Sequence, residues 1–324
     1  MSIKDKVSVI MAARNEESTI AQSIESLLNQ TYKNIEIIVV NDGSTDRTGE
    51  IAKEYSLKYK NVILKNIKYQ NRGCVRPRYE GIENTDGGII FVVDADAIYE
   101  KDYVALCVRH LLDKKVGGVI GKIRVWNPKT FISKYRDVLY RLRFDDEDNI
   151  RREIKMGALA AWLFRRQDYN KLGKYDQSLA YGEDRDFAKR LLACGFEIVY
   201  EPNAVWHHRW KEYLGETVQN NFEMGEQNYG FSKGNLKIWL KVIYFLSVIP
   251  IILLSVFYHI AVLLLVLHSL PLFYNGVKLF MRAGHLKYRY YALLSPIVSY
   301  VYNIPYAFGF LLEFLRDILG VKKF

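Results

Sequence analysis

Three short polar clusters in this 324-residue chain each follow an apolar run. Ala13-Arg14-Asn15-Glu16 follows residues 7–11, Asn41-Asp42-Gly43-Ser44 follows 35–40, and Asp94-Ala95-Asp96 follows 89–93. Asp94 and Asp96 are alternate residues, so in extended chain both carboxylates point the same way and can share one hard cation. Carboxylate oxygen suits Mg²⁺ or Mn²⁺ better than zinc. The plain alternative is an acidic pair that ends a strand and caps a turn. Asp42 likewise has two readings. It can accept a hydrogen bond from a base or ribose, or belong to a tight turn capped by Ser44 or Asp46.

These residues form one site only if the elements carrying them bring them together. Residues 7–11 read as a short β-branched strand of the buried type. Ile20, Ile24, Leu27 and Leu28 fall on one face of a helix over 17–29. Further strands are expected at 35–40, 62–64 and 89–93, with helices around 51–59 and 78–83. Strand and helix alternate with short links, which predicts an α/β domain with a mainly parallel sheet covered by helices on both faces. Ligands of such sheets bind beyond the carboxyl ends of the strands, where all three clusters lie.

Composition narrows the class. The net charge is +10, with 24 Tyr and 16 Phe. Excess positive charge suits nucleic acid, anionic lipid or phosphorylated ligands. No zinc-ligand pattern or long basic arm points to nucleic acid, and no G-x-G-x-x-G follows the first strand to mark a dinucleotide oxidoreductase. Cys74, Cys107 and Cys194 are sparse, which fits a reducing cytoplasm better than a disulfide framework. The N-terminal residues lack an apolar core of signal-peptide length, so a cytosolic catalytic part is expected.

Beyond these readings the sequence resembles the family-2 inverting glycosyltransferases with the GT-A fold. The resemblance rests on VSVIMAARNEE, SIESLLNQTYKNIEIIVVNDGSTDRT, PRYEGI with IIFVVDAD, and FRRQDYNKLGKYDQSLAYGEDRDFAKRLLACGFEIVYEPNAVWHH, in that order across residues 5–210. It implies that Ala13, Arg14, Glu16 and Asp42 hold the nucleotide. Asp94 and Asp96 then bind Mn²⁺ or Mg²⁺ at the donor diphosphate. Arg78 stands where relatives carry Ala-Arg-Asn, here with Pro77 and Tyr79 as its neighbours, and either a diphosphate contact or a buried ion pair is open to it. His207 is the expected third metal ligand and His208 the fallback. Gly157, Ala158 and Trp162 are expected at the sugar pocket, although Trp162 also suits a plain core position.

Glu183 and Asp184 open a helix carrying Phe187, Leu191 and Leu192. Acids there favour the positive helix end. The resemblance makes Asp184 the general base that takes a proton from an acceptor hydroxyl, with Glu183 orienting the acceptor. It implies transfer of one hexose from a UDP- or GDP-linked donor, such as glucose or mannose, to a lipid or lipid-linked saccharide. Only Gln219-Asn220-Asn221-Phe222 stands where processive synthases carry Gln-x-x-Arg-Trp, so one sugar per encounter is expected. A polyprenyl-phosphate sugar synthase is the alternative, because an ionised phosphate acceptor needs no base. A non-catalytic nucleotide-sugar-binding scaffold is the second; it would dispense with the acids, all of which are present.

The expected layout is a catalytic domain over 1–235 and a membrane region over 236–324. Residues 242–277 contain no Asp, Glu, Lys or Arg. That length suits a hairpin of two spans, near 239–257 and 260–280, turning at Tyr258-His259; a single span broken at Pro271 is the competitor. A third apolar run gives a candidate span near 292–315, kinked at Pro296 and Pro305. The basic 282–289 link is expected on the cytoplasmic side of a multi-pass cell-membrane protein. Phe131, Tyr135, Val138, Leu139 and Leu142 share a face of a helix within 131–152, to lie on the membrane surface or pack on protein.

Overall fold

The computed structural model describes residues 5–68, 73–126, 128–144, 151–152, 161–179, 182–210, 214–232, 234–255, 259–284 and 286–319. The chain forms two compact units, Met1–Trp126 with Phe144–Arg209, and Asn127–Arg143 with Trp210–Phe324. The compact units divide after Arg209, and the second takes in a segment from the middle of the sequence.

In chain order the elements begin with β1 (Val7–Ala13), α1 (Ile20–Leu28), β2 (Ile35–Asp42), α2 (Thr48–Lys58), β3 (Val62–Ile67), α3 (Val75–Glu83) and β4 (Ile89–Asp94). Then come β5 (Ala97–Tyr99), α4 (Tyr103–His110), β6 (Val116–Val125) and α5 (Phe131–Phe144), nearly all of which belongs to the second unit. The first unit closes with β7 (Arg151–Arg152), β8 (Trp162–Arg165), α6 (Arg166–Lys171), α7 (Glu183–Ala193) and β9 (Glu197–His208).

The strands make one sheet in the order β3-β2-β1-β4-β8-β6-β9-β5, with β7 also on β9. β1 pairs in parallel with β2 and β4, and β2 with β3. Their apolar runs are buried on both faces, which parallel pairing under helices requires. β8 enters antiparallel between β4 and β6, and β5 runs antiparallel to β9, so the sheet is mixed. Val7, Val9, Ile10, Met11, Ile37 and Val39 are fully buried, each contributing about 1.5–3 kcal/mol over exposure. α3 packs against β1 and β2 through Gly81, where an added Cβ would sit 2.5 Å from an Ile10 methyl.

The second unit continues with α8 (Leu214–Ser232), α9 (Leu236–Leu246), α10 (Val248–Ser255), α11 (His259–Arg282), a 3₁₀ turn (Arg289–Leu294) and α12 (Ser295–Leu319). Two stretches, Leu236–Ser255 and Leu263–Arg282, are long and apolar enough to cross a membrane by length and composition. The expected third span is not one of them. Residues 292–315 divide between the 3₁₀ turn and α12, which packs along α8 and ends in Glu313, Arg316 and Asp317. Arg316 pairs with Glu226 at 2.7 Å, and the Tyr229 hydroxyl donates to Asp317 at 2.8 Å. Pro271 lies inside α11 without ending it, so the single broken span does not form. Between the two apolar stretches, Tyr258 of the expected turn is outside the described residues.

Polar groups join these apolar helices. His268 sits 2.8 Å from the Tyr300 hydroxyl and 3.1 Å from the Ser247 hydroxyl, which satisfies both ring nitrogens. The expected apolar face of α5 is covered by protein: Tyr135, Val138 and Leu142 are buried, the latter two against Ala283 and Ala292. That overturns a purely lipid-facing role for this stripe, because its apolar area is already spent on the neighbouring helices.

α8 and α12 cross at two glycines. A Cβ on Gly225 would meet the Tyr306 carbonyl oxygen at 1.9 Å, and one on Gly309 the Phe222 carbonyl oxygen at 2.0 Å. Only hydrogen fits at either position. Gly309→Val is expected to part the helices and lower stability by about 1–3 kcal/mol or more, read as an earlier thermal transition of the detergent-purified chain. A midpoint equal to that of the unsubstituted protein would contradict this close crossing.

Candidate active site

The site starts from the register of three strands. Ala12 lies beside Asp94 and Ala13 beside Asn41, so the ends of β1, β2 and β4 bring the three clusters to one sheet edge. Asp42 ends β2, only 4% exposed. The loops that follow are stitched to one another. Glu16 N–H donates to Thr48 Oγ1 at 2.7 Å, Thr45 N–H to Asn15 Oδ1 at 2.9 Å, and Arg47 N–H to Glu17 Oε2 at 3.0 Å. Asn15 has φ +56°, a left-handed conformation that Asn tolerates by bonding locally. Ala13 is buried, Glu16 is half-exposed and Arg14 is exposed at this rim.

The Asp94-Ala95-Asp96 turn is held through its backbone. Ser23 Oγ donates to the Ala95 carbonyl at 2.7 Å, and Arg209 N–H donates to the Asp96 carbonyl at 2.8 Å. β5 then pairs with β9, setting Ala97 opposite His208 and Ile98 opposite His207. Successive strand residues face opposite sides. His208 Nε2 therefore lies 3.3 Å from Asp96 Oδ1 and 3.9 Å from Asp94 Oδ2, whereas His207 Nε2 lies 3.3 Å from Glu100 Oε1. The expected histidine is thus corrected by one residue: His208, not His207, stands with the two carboxylates. Reading the strand phase from Trp206, which is buried and stacks on Tyr99, would have selected it.

Ligand atoms of Asp94, Asp96 and His208 all lie within 4.8 Å of one another. Two carboxylates and an imidazole at the half-buried sheet edge fit a divalent cation, with Mn²⁺ favoured over Mg²⁺ by the nitrogen ligand.

Arg78 links this trio to the acid pair. Its guanidinium donates to Asp94 Oδ1 at 2.6 Å and to Glu183 Oε1. Arg78 is 8% exposed and Glu183 1%, so of the two roles open to Arg78 the structure displays the buried ion pair. The same pairing takes Glu183 away from orienting an acceptor, because its carboxylate faces the guanidinium. Cys74 Sγ lies 3.8 Å from Glu183 Oε1, and burial pushes its thiol up, keeping it neutral.

Gly182, at φ +86°, turns the chain into α7 and sets Glu183 and Asp184 at its first positions. Asp184 is half-buried, and burial raises its carboxyl above the usual range; the charge of Glu183 adds to this and Arg78 opposes it. Burial also pushes the Asp94 carboxyl up, against the pull of Arg78 and with that of Asp96. Trp162, with the sugar pocket and the core both open to it from the sequence, lies inside the packed unit. It is fully buried, with Phe164 at 4.6 Å and Phe187 at 5.6 Å between ring centres, and serves as core. Gly157 and Ala158 lie outside the described residues. Ser23 and Arg209, which hold the acidic turn, escape a sequence reading because their roles depend on backbone atoms far away in the chain.

His208→Ala is expected to weaken Mn²⁺ binding by at least about tenfold, measured by electron paramagnetic resonance titration of the purified chain. His207→Ala should leave it unchanged. Equal effects from both would remove the register argument.

Residues 8–173, just over half of the chain, match the family described as Glycosyl transferase family 2. Probable glycosyltransferase YdaM of Bacillus subtilis is 34% identical over 219 residues, which are 64% of this chain and 52% of that protein. Glycosyltransferase GlyA of Streptococcus pneumoniae is 29% identical over 220 residues, 64% of this chain and 31% of that protein. The matched region thus spans from just under a third to just over half of the length of these curated relatives. Among solved structures, a mannosyltransferase from Pyrobaculum calidifontis in complex with GDP-Man and Mn²⁺ superposes with a TM-score of 0.62 at 19% identity. That likeness covers 95% of this chain and 87% of the other, and it identifies the fold as GT-A-like with its helical region. With the family matched over the β1–α6 core that carries the acidic turn, the chain belongs to glycosyl transferase family 2.

Proposed function

We propose that this glycosyltransferase moves one hexose per encounter from a UDP- or GDP-linked donor to a hydroxyl of a lipid or lipid-linked saccharide, with inversion. The reading extends to a membrane-bound enzyme with its catalytic unit on the cytoplasmic side. The observation that carries it is the Arg78 bridge, which sets the Asp94, Asp96 and His208 group and the α7 acid pair around one buried cation. A bound Mn²⁺ or Mg²⁺ supplies positive charge for the donor diphosphate. Asp94, Asp96 and His208 hold that position, while Ala13, Arg14, Glu16 and Asp42 form the edge that receives the nucleotide.

Asp184 accepts the acceptor hydroxyl proton as the oxygen attacks the anomeric carbon. The bond from that carbon to the diphosphate oxygen breaks, and the electron pair leaves with the nucleoside diphosphate. A carboxyl raised by burial is a better base than an ordinary one. Glu183, paired with Arg78, positions α7. With one free acid left, the hydroxyl acceptor still has its base.

Binding of UDP- and GDP-sugars to the detergent-purified chain should require Mn²⁺ or Mg²⁺ and select one nucleotide. Metal-dependent binding with no transfer to any acceptor would favour the scaffold, and no binding by the folded chain would overturn the donor site itself. Asp184→Asn is expected to cut turnover by about 10²–10⁴-fold while donor binding stays near normal. Because the Asp184 carboxyl is raised, the acid limb of kcat/KM should fall at a pH above the ordinary aspartate value of about 3.9. Asp184→Asn retaining full transfer to a polyprenyl phosphate would replace this acceptor class with the phosphate one.

A further inference from the structure

The second unit carries a charge pattern that the transfer chemistry does not use. No Asp or Glu occurs between Glu226 and Glu313, although Lys278, Arg282, Lys287 and Arg289 fall in that stretch. Among the described residues, Lys287, Arg289 and the α5 residue Lys134 make no ion pair with a carboxylate. Aromatic rings back them instead. Lys134 Nζ lies 5.4 Å from the Tyr291 ring centre and 5.7 Å from that of Tyr288. Lys287 lies 5.4 Å from Tyr288, and the Arg289 guanidinium 5.0 Å from Tyr290 and 5.5 Å from Phe280. Val138 and Leu142 hold α5 in place against Ala283 and Ala292.

This cluster sits where the apolar stretch Leu263–Arg282 ends. α9 and α10 run antiparallel to α11, with Ser247 on His268 and only residues 256–258 between α10 and α11. Lys237 and Lys241, at the start of the first apolar stretch, therefore lie at the same end of the helical pair. Cations without carboxylate partners, set among tyrosines at the end of apolar helices, are complementary to a layer of phosphate diesters. Lys134 Nζ also donates to the Tyr291 hydroxyl at 3.4 Å and Arg289 to the Gly284 carbonyl and the Tyr290 hydroxyl, neutral partners that leave each cation its charge and further N–H donors for such an acceptor.

We propose that this end of the helical unit, formed by α5, the C-terminus of α11 and the 3₁₀ turn, is a docking surface for anionic phospholipid headgroups. The inference rests on reading the two apolar stretches as membrane spans. It adds a lipid preference, carried mainly by Lys134, Lys287 and Arg289, residues outside the transfer machinery.

The test uses the full chain in neutral detergent with added phosphatidylglycerol or phosphatidylcholine, followed by thermal unfolding. Phosphatidylglycerol should raise the midpoint above phosphatidylcholine by about 4 °C or more at low salt, and high salt should erase the difference. The combined variant K134Q/K287Q/R289Q should lose that difference, and K134R/K287R/R289K should keep it. Equal shifts from both lipids, or a difference that survives the glutamine variant, would overturn the proposal. So would inorganic phosphate or a polyglutamate peptide matching phosphatidylglycerol, since the occupant would then be a free anion or an acidic protein. A chain that stays soluble without detergent would overturn the membrane reading as well; one that needs detergent yet responds alike to both lipids overturns this inference alone.

Discussion

The guanidinium of Arg78 is the point on which the catalytic unit turns. It sits between Asp94, at the end of a central strand, and Glu183, at the start of a helix more than a hundred residues later. Removing one partner of such a buried pair leaves an uncompensated charge, at a cost of about 3–5 kcal/mol. Replacing the whole group with apolar side chains is often neutral or stabilising. Stability alone therefore does not account for a buried cation here. Position does, because the bridge fixes the distance between the carboxylates of the acidic turn and the helix that presents Asp184.

The same bridge separates two neighbouring acids. Glu183 spends its charge on Arg78, whereas Asp184 stays half-buried with a raised carboxyl. Two adjacent carboxylates at one helix start thus acquire different chemistry from what each faces. On the other side, Ser23, Arg209 and the β5–β9 pairing fix the acidic turn through its backbone and leave its carboxylates to face the site. Mutation of these supporting groups acts on geometry before it acts on charge.

Much of this was legible in the sequence. The strand runs and the polar clusters at their ends place Ala13, Asp42 and Asp94 at one edge, because parallel β/α alternation leaves few other arrangements. The family motifs brought in Glu183 and Asp184. What the sequence did not show was pairing between distant segments. His208 over His207 depends on a strand register, Glu183 on the reach of Arg78, and the burial of Trp162 on Phe164 and Phe187. The compact units show the same limit: α5 looks like part of the catalytic region by position, yet its buried stripe is completed by residues near Ala283 and Ala292. The third apolar run was long enough to suggest a span, but helix-to-helix packing at Gly225 and Gly309 is not a property of apolar length.

The split course of the second unit has a consequence for biosynthesis. α5 leaves the ribosome before β7, β8 and β9, but the residues that cover Val138 and Leu142 are made more than a hundred residues later. During that interval β9 is completed with His208 at its end, whereas the α5 stripe stays without its cover. A nascent chain interrupted after β9 thus carries every strand of the sheet and an α5 whose apolar stripe is uncovered. The order of synthesis thus completes the sheet before the cover of α5, so a fragment ending after β9 lacks the residues that bury Val138 and Leu142.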